Sequence, residues 1–363
     1  MTKARTNASA SPAVGRNMII NGAMNVAQRS ASVTGIGATS GTYPTLDRYA
    51  IGLGAGAGRL TMTQTADGPN GISANCLKLD CTTADTSIAA GEFLGIWHAM
   101  EGQNIQRIGK GVAGAQQVTV SFYVKANAAA TYVLELEDAD NARTNGKLFS
   151  VTTDWVRHEI VFEADVDDGS SPFDDDNAGS LVIAWYLHGG SNFTSGTLAS
   201  GWANTTAANR LVGIDSFFDA TTRTFFLTGV QMEVGPVATE FEQEDISTTL
   251  AKCQRYYYQL TSEGVATNYI LGSVESATTA AMGGLAFPSE MRAIPAAALL
   301  GTNITKFYSA ATGTDVSVAI STNRCSKSIG AFIIDSFTGA TVGQSSSLYN
   351  GGSGSGISFD AEL

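Results

Sequence analysis

The segment HEIVFEADV, residues 158–166, alternates apolar and charged side chains with a period of two. A period of two is typical of a β-strand that buries one face and exposes the other. The apolar set, expected to face a core, is Ile160, Phe162, Ala164 and Val166. The segment therefore predicts an amphipathic strand.

Four further segments between residues 118 and 234 repeat this pattern. They are VTVSFYV (118–124), TYVLELED (131–138), SLVIAWYL (180–187) and TRTFFLTGVQMEV (222–234). In the second of them, leucines are expected to point inward and Glu135 and Glu137 outward. Segments rich in Gly, Asn and Asp separate the strands, and helical periodicity is nearly absent. The pattern predicts a mainly β fold with a jelly-roll-like antiparallel β-sandwich over residues 47–240, and it disfavours a βαβ nucleotide fold.

One segment, EDISTTLAKCQRYYYQL at residues 244–260, breaks the alternation. Its apolar residues fall at steps of three and four, as on one helix face: Ile246, Leu250, Cys253, Tyr257 and Leu260. Asp245 is the expected N-cap. We predict a connecting helix over residues 241–260, whose apolar face packs either on its own domain or on a second copy of the helix.

The two ends of the chain differ in character. Residues 261–363 return to short β-like runs and predict a smaller C-terminal β domain. Residues 1–46 carry four basic residues and no acidic one, unlike the rest of the chain. This composition predicts an N-terminal segment that is either a mobile arm or is ordered by a partner. Its expected anchor residues are Lys3, Arg5 and Arg16.

Composition excludes several classes of protein. The net charge is −12 over 363 residues, which argues against nucleic-acid binding because such binding needs a clustered basic face. No apolar run is long enough to span a membrane, and no apolar segment follows the basic N-terminus, so we expect cytosolic synthesis without export. The four cysteines show no CxxC pair, so neither a zinc site nor a disulfide framework is indicated.

Catalytic motifs are absent from the sequence. The glycine-rich stretch GLGAGAGRL at 52–60 does not match a dinucleotide or phosphate loop. The histidines, His98, His158 and His188, stand outside any known catalytic motif. We therefore expect no enzymatic activity. Paired carboxylates of a glycoside hydrolase are defined only in space, so that alternative stays open.

Clustered aspartates mark the segment ADVDDGSSPFDDDNAG at 164–179. Clustered carboxylate oxygens are the ligands that calcium prefers. The segment predicts either a solvated acidic loop or a calcium site, and no other cofactor is indicated. The candidate ligands are Asp165, Asp167, Asp168, Asp174, Asp175 and Asp176.

Aromatic side chains offer a second kind of site, because flat rings stack on sugars. Several lie in or beside the predicted sandwich: Trp97, Trp185, Tyr186 and Trp202. Trp202 lies between polar runs in SGWANTT and is the first candidate for a glycan contact. Tyr308 and Tyr349 are the candidates in the C-terminal domain.

Four passages carry a resemblance to a known group of proteins. They are GRNMIINGAMNVAQRS (15–30) with YPTLDRYAIG (43–52), LTGVQMEVGPVATEFEQEDISTTLAKCQRYYYQL (227–260), FPSEMRAIPAAAL (287–299) and ISFDAEL (357–363). The shared residues are Asn21, Gly22, Met24, Asp47, Arg48 and Tyr49, then Cys253 to Tyr257, then Met291, Arg292 and Pro295. Together these passages resemble the tail-fibre and minor tail proteins of tailed bacteriophages.

The resemblance implies a virion structural protein located in a tail appendage. Its fold would be a β-sandwich similar to carbohydrate-binding modules, commonly in a homotrimer. Its expected function is host adsorption as a tail-fibre or tail-tip component, and its expected partners are other tail proteins and a host-surface glycan. Two alternatives remain: an architectural virion protein, such as a head-decorating or collar fibre, and a glycan-degrading tail enzyme. The expected junction residues are Asp245, Leu250, Cys253, Arg255, Tyr256, Tyr257 and Tyr258.

Overall fold

A computed structural model of the protein describes most of the chain. The described residues are 15–54, 56–166, 172–261, 268–276, 279–282, 284–300, 306–309, 312–315, 320–321, 325–331, 333–335, 341–343, 345–349 and 356–363, several of the later strands as backbone only. The chain divides into two compact units, Met1–Glu244 and Asp245–Leu363.

The first unit consists mainly of strands. They are β1 Ser32–Ile36, β2 Thr39–Thr42, β3 Ala50–Leu53, β4 Arg59–Thr65, β5 Cys76–Thr83, β6 Phe93–Glu101, β7 Val118–Ala126, β8 Ala130–Asp138, β9 Arg143–Val151, β10 Val156–Phe162, β11 Gly179–Gly189, β12 Ala203–Asn204 and β13 Thr224–Val234. A short helix, α1, covers Ser191–Thr194, and 3₁₀ turns cover Gly102–Asn104, Gln106–Ile108, Ala207–Asn209 and Phe217–Asp219.

These strands form two antiparallel sheets. One sheet has the order β1-β4-β5-β13-β7-β10 and the other β12-β9-β8-β11-β6-β3-β2. The predicted strand at 158–166 is β10, which pairs with β7 from Val156 opposite Val124 to Phe162 opposite Val118. The alternation continues no further, and Val166 is 56% exposed. The antiparallel β-sandwich predicted from the sequence is confirmed.

Aromatic rings from both sheets meet in the core of this unit. Phe122 of β7 lies with its ring centroid 5.3 Å from Phe149 of β9 and 5.8 Å from Trp185 of β11. Tyr132 of β8 lies 5.9 Å from Phe225 of β13. All five side chains are buried. Because β7 and β13 belong to one sheet and the other strands to the second, these edge-to-face contacts hold the two sheets together.

Residues 15–46 are part of the sandwich, which corrects the prediction of a separate N-terminal arm for this part of the segment. Ile19, Met24 and Leu46 are buried in the core between the sheets. The Met18 amide donates a hydrogen bond of 2.9 Å to the carbonyl of Met232. The low apolar content of residues 1–46 suggested a segment without a core of its own. A few well-spaced apolar side chains are nevertheless enough to join a core that the rest of the chain forms.

The predicted anchor residues are only partly described. Lys3 and Arg5 lie outside the described residues. Arg16 donates a hydrogen bond of 3.1 Å to the carbonyl of Glu240, and the Gly15 amide donates one of 2.7 Å to Glu242 Oε1. The described part of the segment thus contacts its own domain.

The first of the four passages that carry the resemblance, residues 15–30 with 43–52, forms a buried polar cluster. Asn21, in a left-handed conformation with φ of 61°, donates from Nδ2 to the carbonyls of Val26 and Asp47. Arg48 is 0% exposed and donates from Nη2 to the carbonyl of Ala99 on β6 at 2.6 Å. These side chains satisfy backbone carbonyl groups of irregular chain and of β6, since buried polar groups are generally hydrogen-bonded. The residues that carry the resemblance here are therefore structural.

His98 of β6 completes this cluster. Its ring is 1% exposed and packs edge-on against Tyr49 with centroids 5.3 Å apart. Its Nε2 lies 3.2 Å from the carbonyl oxygen of Ile20. Burial, together with the nearby Arg48 charge, lowers the pKa of His98 to about 3. The imidazole is therefore neutral over the physiological range.

The second unit begins with a helix and continues in strands. They are α2 Ile246–Gln254, β14 Tyr257–Thr261, β15 Asn268–Ser276, β16 Thr279–Met282, β17 Leu285–Ala286, β18 Ala296–Leu300, β19 Lys306–Ser309, β20 Thr312–Asp315, β21 Ile320–Ser321, β22 Ile329–Gly330, β23 Ile333–Asp335, β24 Ser345–Tyr349 and β25 Gly356–Asp360. The sheets have the orders β14-β25-β18, β20-β19-β24-β15-β16-β23-β21 and β17-β22. The smaller C-terminal β domain is thus present. None of the helices in the described residues has the length and apolar character needed to cross a bilayer.

The helix α2 is shorter than predicted. Asp245 is its N-cap, as expected, and the Asp245 Oδ1 accepts the Ser247 amide at 2.9 Å, but the helix covers only Ile246–Gln254 and not the predicted 241–260. The tyrosine-rich residues that follow form β14, in keeping with the strand preference of aromatic side chains. Thr249 and Cys253 are the buried residues of the helix, whereas Ile246 is 51% exposed. The predicted apolar face over residues 246–260 is therefore wrong.

Candidate functional site

An aromatic cleft lies on the outer face of the seven-stranded sheet, opposite the core. It encloses about 340 Å³. Strands β6, β8 and β11 form its floor, and α1 with the segment after residue 206 forms a wall. Its lining residues are Phe93, Trp97, Glu137, Ala139, Val182, Tyr186, Phe193, Arg210 and Leu211.

Strand alternation places the cleft residues on this face. In β11, Trp185 points into the core and the next residue, Tyr186, points to the other side. Tyr186 pairs with Gly95 of β6, and Ala184 pairs with Trp97. Tyr186 and Trp97 therefore come from adjacent strands and are separated by small residues.

Two glycines allow Trp97 to lie flat on the sheet. A Cβ atom at Gly52 of β3 would lie 2.3 Å from the Trp97 ring, and one at Gly95 would lie 2.5 Å from its Nε1 atom. Phe93 stacks on Trp97 with an interplanar angle of 19°, and Phe193 of α1 meets Phe93 edge-on. The indole is thus held against the sheet as part of a preformed aromatic surface.

Arg210 supplies the polar side of the cleft. Its Nε donates to both carboxylate oxygens of Glu135, at 3.0 and 3.1 Å, and its Nη2 contacts Glu135 as well. The same Nη2 donates to Glu137 Oε2 at 2.6 Å and to Tyr186 Oη at 3.1 Å. The guanidinium carbon lies 5.5 Å from the centre of the Tyr186 ring. These contacts fix Arg210, Glu137 and Tyr186 relative to each other.

Glu135 is buried beneath this network. It faces outward from the core, as predicted, but it is 1% exposed because Arg210 and its neighbours cover it. Burial raises the pKa of Glu135 to about 7, although the hydrogen bonds from Arg210 act in the opposite direction. Burial also raises the pKa of the Tyr186 phenol, and the Glu135 charge adds to this effect. The accessible carboxylate of the cleft is that of Glu137, whose side chain is 31% exposed.

This arrangement suits the binding of sugar rings. The apolar C–H face of a pyranose can stack on an aromatic surface, while its hydroxyl groups bond to carboxylate and guanidinium groups at the edge. Glycoside hydrolysis instead needs two carboxyl groups that flank the scissile bond. Here Glu135 and Glu137 lie side by side on one strand and share one guanidinium, and Glu135 is covered. The pair therefore lacks the flanking arrangement of a hydrolase.

The predicted glycan contacts lie elsewhere. Trp202 is half-buried and packs against the core, and its Nε1 donates to the Glu163 carbonyl at 2.9 Å. Its loop-like sequence was misleading, because a polar loop can still insert one ring into a core. Tyr308 and Tyr349 occupy β19 and β24, and their side chains lie outside the described residues.

The predicted calcium ligands do not form a ligand set in the part of the chain that the structure describes. Asp165 is 5% exposed and bound by Arg143, with Nε to Oδ2 at 2.8 Å and Nη2 to Oδ1 at 2.9 Å. Asp174, Asp175 and Asp176 lie in the exposed turn before β11, and Asp167 and Asp168 lie outside the described residues. No three acidic, histidine or cysteine side chains converge among the described residues. Calcium binding remains a prediction.

Asp165 belongs to a network of buried ion pairs. Lys110, whose side chain is 2% exposed, contacts Asp138, and its Nζ lies 3.8 Å from Asp165 Oδ2. Asp138 is 0% exposed and also accepts the amides of Asp140 and Asn141, each at 3.0 Å. The network ties the loop before β7 to the ends of β8 and β10.

The predicted junction residues lie at the start of the second unit. Cys253, Tyr256 and Tyr257 are buried, and Leu250 is half-buried. Arg255 donates to the carbonyl of Glu290 at 3.3 Å, and the Tyr256 carbonyl accepts the Ala361 amide at 2.8 Å. The recognised residue Arg292 donates to the carbonyls of Ala361 and Glu362, each at 2.8 Å.

Aromatic packing joins the same passages. Tyr258 and Phe359 stack with centroids 6.4 Å apart, and Phe287 meets Phe359 edge-on at 4.9 Å. Residues 245–260 of the second passage therefore pack on the third and fourth passages within the second unit. Their roles in this domain are structural, and a role in assembly stays a prediction.

Sequence analysis missed a second polar cluster in the first unit. His188 lies with Nδ1 2.8 Å from Ser216 Oγ and Nε2 3.1 Å from Glu92 Oε2. The set has the residue types of a hydrolytic triad. However, Ser216 Oγ accepts the Phe218 amide as a helix cap, and His188 and Glu92 are 1% and 4% exposed. The cluster joins β11 to the turn at Ser216 and to Glu92, which directly precedes β6.

Comparisons with known proteins give structural matches alone. No protein-family profile and no curated sequence matches the chain. The enzymatically active domain of tailspike protein 4 from bacteriophage CBA120 matches over 60% of this chain and 21% of its own, with 12% identity and a TM-score of 0.31. This chain therefore spans about a fifth of the tailspike structure.

Carbohydrate-binding modules are among the other matches. A CBM4 structure matches over 59% of this chain and 97% of its own, with 12% identity and a TM-score of 0.30. A family 11 module from Clostridium thermocellum, in complex with a β-1,3-1,4-mixed-linked tetrasaccharide, matches over 58% and 99%, with 11% identity and a TM-score of 0.27.

Proposed function

We propose that the protein is a non-enzymatic glycan-binding protein whose binding site is the aromatic cleft. One observation carries the proposal: Trp97 lies flat over Gly52 and Gly95 on an outer sheet face, beside the Arg210–Glu137 pair. Because the protein already holds this large aromatic ring in place, its side chain loses no conformational entropy when a ligand binds. The fixed polar groups at the edge of the ring orient the ligand.

We further propose that the protein is a virion structural component of a phage tail fibre or tail tip, assembled as a homotrimer with other tail proteins. The four recognised passages support this role. Weak single sites suit it, since several copies on one particle raise the overall affinity by about 10² to 10⁴. A monomeric mass in light scattering of the folded protein would count against the trimer.

The architectural alternative makes a different prediction. A collar or head-decorating protein needs no ligand, so it would bind neither host cells nor their purified surface polysaccharides. Dose-dependent competition of the purified protein with phage adsorption would support the tail role. Release of reducing sugars from a bound polysaccharide would contradict the non-enzymatic part of the proposal.

Replacement of Trp97 by alanine tests the cleft directly. We expect Trp97→Ala to weaken glycan binding about 30-fold, because a central tryptophan contributes about 2 kcal/mol to many interfaces. Affinity is measured on a polysaccharide panel by biolayer interferometry. Trp155→Ala is the matched control, because Trp155 packs on Phe226 of the six-stranded sheet. Equal losses in both variants would contradict the proposed site.

Gly52→Ala tests the support of the ring without removing it. The new Cβ would lie 2.3 Å from Trp97, so the indole must lift from the sheet. We expect glycan affinity to fall about tenfold, since a displaced anchor loses its shape complementarity. The control is Gly114→Ala, where no atom lies within 4 Å of the added carbon. Unchanged affinity in Gly52→Ala would show that the flat position of Trp97 is not needed.

A further inference from the structure

We infer that the aromatic cleft selects uncharged sugar residues and rejects sugars that carry carboxylate groups. This inference rests on the proposed function and adds the chemical class of the ligand. It depends on which charges the cleft presents to a ligand.

The basic group of the cleft is already engaged by the protein. Arg210 is the one lysine or arginine among the described lining residues. Two of its nitrogens, Nε and Nη2, donate to the carboxylates of Glu135 and Glu137. A sugar carboxylate would have to displace one of these partners to reach a bidentate position on the guanidinium. Displacement of Glu135 would leave a buried carboxylate without its cation, which is costly.

The remaining charge of the cleft is negative. The accessible carboxylate, Glu137, lies on β8 at the floor of the cleft and is 31% exposed, and Glu135 lies behind it. Two carboxylates share one guanidinium, so the network carries no surplus positive charge. Over longer distances the chain's net charge of −12 repels polyanions. A neutral pyranose meets none of these costs and can donate its hydroxyl protons to Glu137.

Ligands that differ only in charge separate the effect of the carboxylate groups from the effect of the polysaccharide type. Soluble glucan, mannan and galactan are each tested before and after selective oxidation of their primary hydroxyl groups to carboxylates. Affinity for the full-length protein is measured by biolayer interferometry at ~20 mM and ~500 mM NaCl, which differ widely in screening length. For any glycan that binds, we expect the oxidised form to bind about tenfold more weakly at low salt, from like-charge repulsion at short range.

Glu137→Gln tests the source of this preference. We expect the ratio of neutral to oxidised affinity to shrink about threefold in the variant and at high salt, because one facing charge is removed or screened. Glu159→Gln is the control, because Glu159 lies on β10 of the other sheet, where its side chain is 48% exposed. It makes the same change in net charge away from the cleft, and the ratio should stay as in the parent protein.

The outcomes distinguish this inference from the proposed function. Equal or tighter binding of the oxidised form would overturn the inference and leave the cleft as a glycan site. A ratio that neither Glu137→Gln nor salt alters would also overturn it, since the preference would then be steric. Failure of the folded protein to bind any form in the panel would overturn both proposals.

Discussion

Lys110→Met is expected to lower the free energy of unfolding by about 3–5 kcal/mol, the usual cost of removing one partner from a buried ion pair. Lys110 and Asp138 have side chains that are 2% and 0% exposed. The substitution leaves the carboxyl group of Asp138 buried, with amide donors but without its cation. Urea-induced unfolding at pH 7, followed by tryptophan fluorescence, measures the loss. All four tryptophans lie before residue 203, so the signal reports on the first unit.

Two controls separate the buried charge from other effects. Lys147→Met removes an ion pair with Glu163 that is largely at the surface, and it should cost less than about 1 kcal/mol. The double variant Lys110→Met with Asp138→Asn removes both charges and should recover much of the loss. A double variant as unstable as Lys110→Met alone would show that the loss arises from packing.

His98→Gln is expected to make the protein less sensitive to acid. The pKa of His98 is lowered by burial and by Arg48 from 6.5 to about 3, so between these values the unfolded chain binds a proton that the folded chain does not. Stability from this group is complete above pH 6.5 and is lost as pH falls toward 3. Since a shift of one pKa unit corresponds to about 1.4 kcal/mol, the free energy of unfolding falls by about 5 kcal/mol from this group when the pH is lowered to 3.

The comparison of pH profiles measures this contribution. Free energies of unfolding at several pH values between 4 and 7 should fall more steeply with acid in the parent protein than in His98→Gln, by about 1.4 kcal/mol per pH unit. Glutamine keeps a donor for the Ile20 carbonyl. His158→Gln is the control, because His158 is half-buried and its pKa is lowered for the same reason but less completely. Parallel profiles would contradict the assigned role of His98.

The sandwich itself was predictable because strand alternation is a local signal. Each of the five patterned segments is a strand of the first unit, and Asp245 caps a helix as expected. The limits of that helix were not predictable, because its apolar spacing continued through Tyr257 although the chain turns into a strand there. The role of residues 15–46 was also hidden, since their partners, such as Met232, lie some two hundred residues away.

The cleft was harder to predict than the fold. Alternation separates Tyr186 from Trp185, but the sequence places both rings and Trp97 only in or beside the sandwich, and its glycan-contact candidates are Trp202, Tyr308 and Tyr349. Nothing in the sequence distinguished an outer ring on a sheet from the half-buried Trp202. Arg210 carries no local signal at all, because its role depends on a loop that returns to Glu135 from a distant part of the chain.

The first unit joins residues near its start to β13, which is translated much later. Residues near Met18 and Gly22 bond to Met232 and Val230, which leave the ribosome more than two hundred residues later. At about 5–20 residues per second, the interval is on the order of 10–40 s. During that time Ile19 and Met24 lack the part of their core that β13 supplies. Because β13 lies between β5 and β7 in the six-stranded sheet, the domain can be completed only after β13 has been translated.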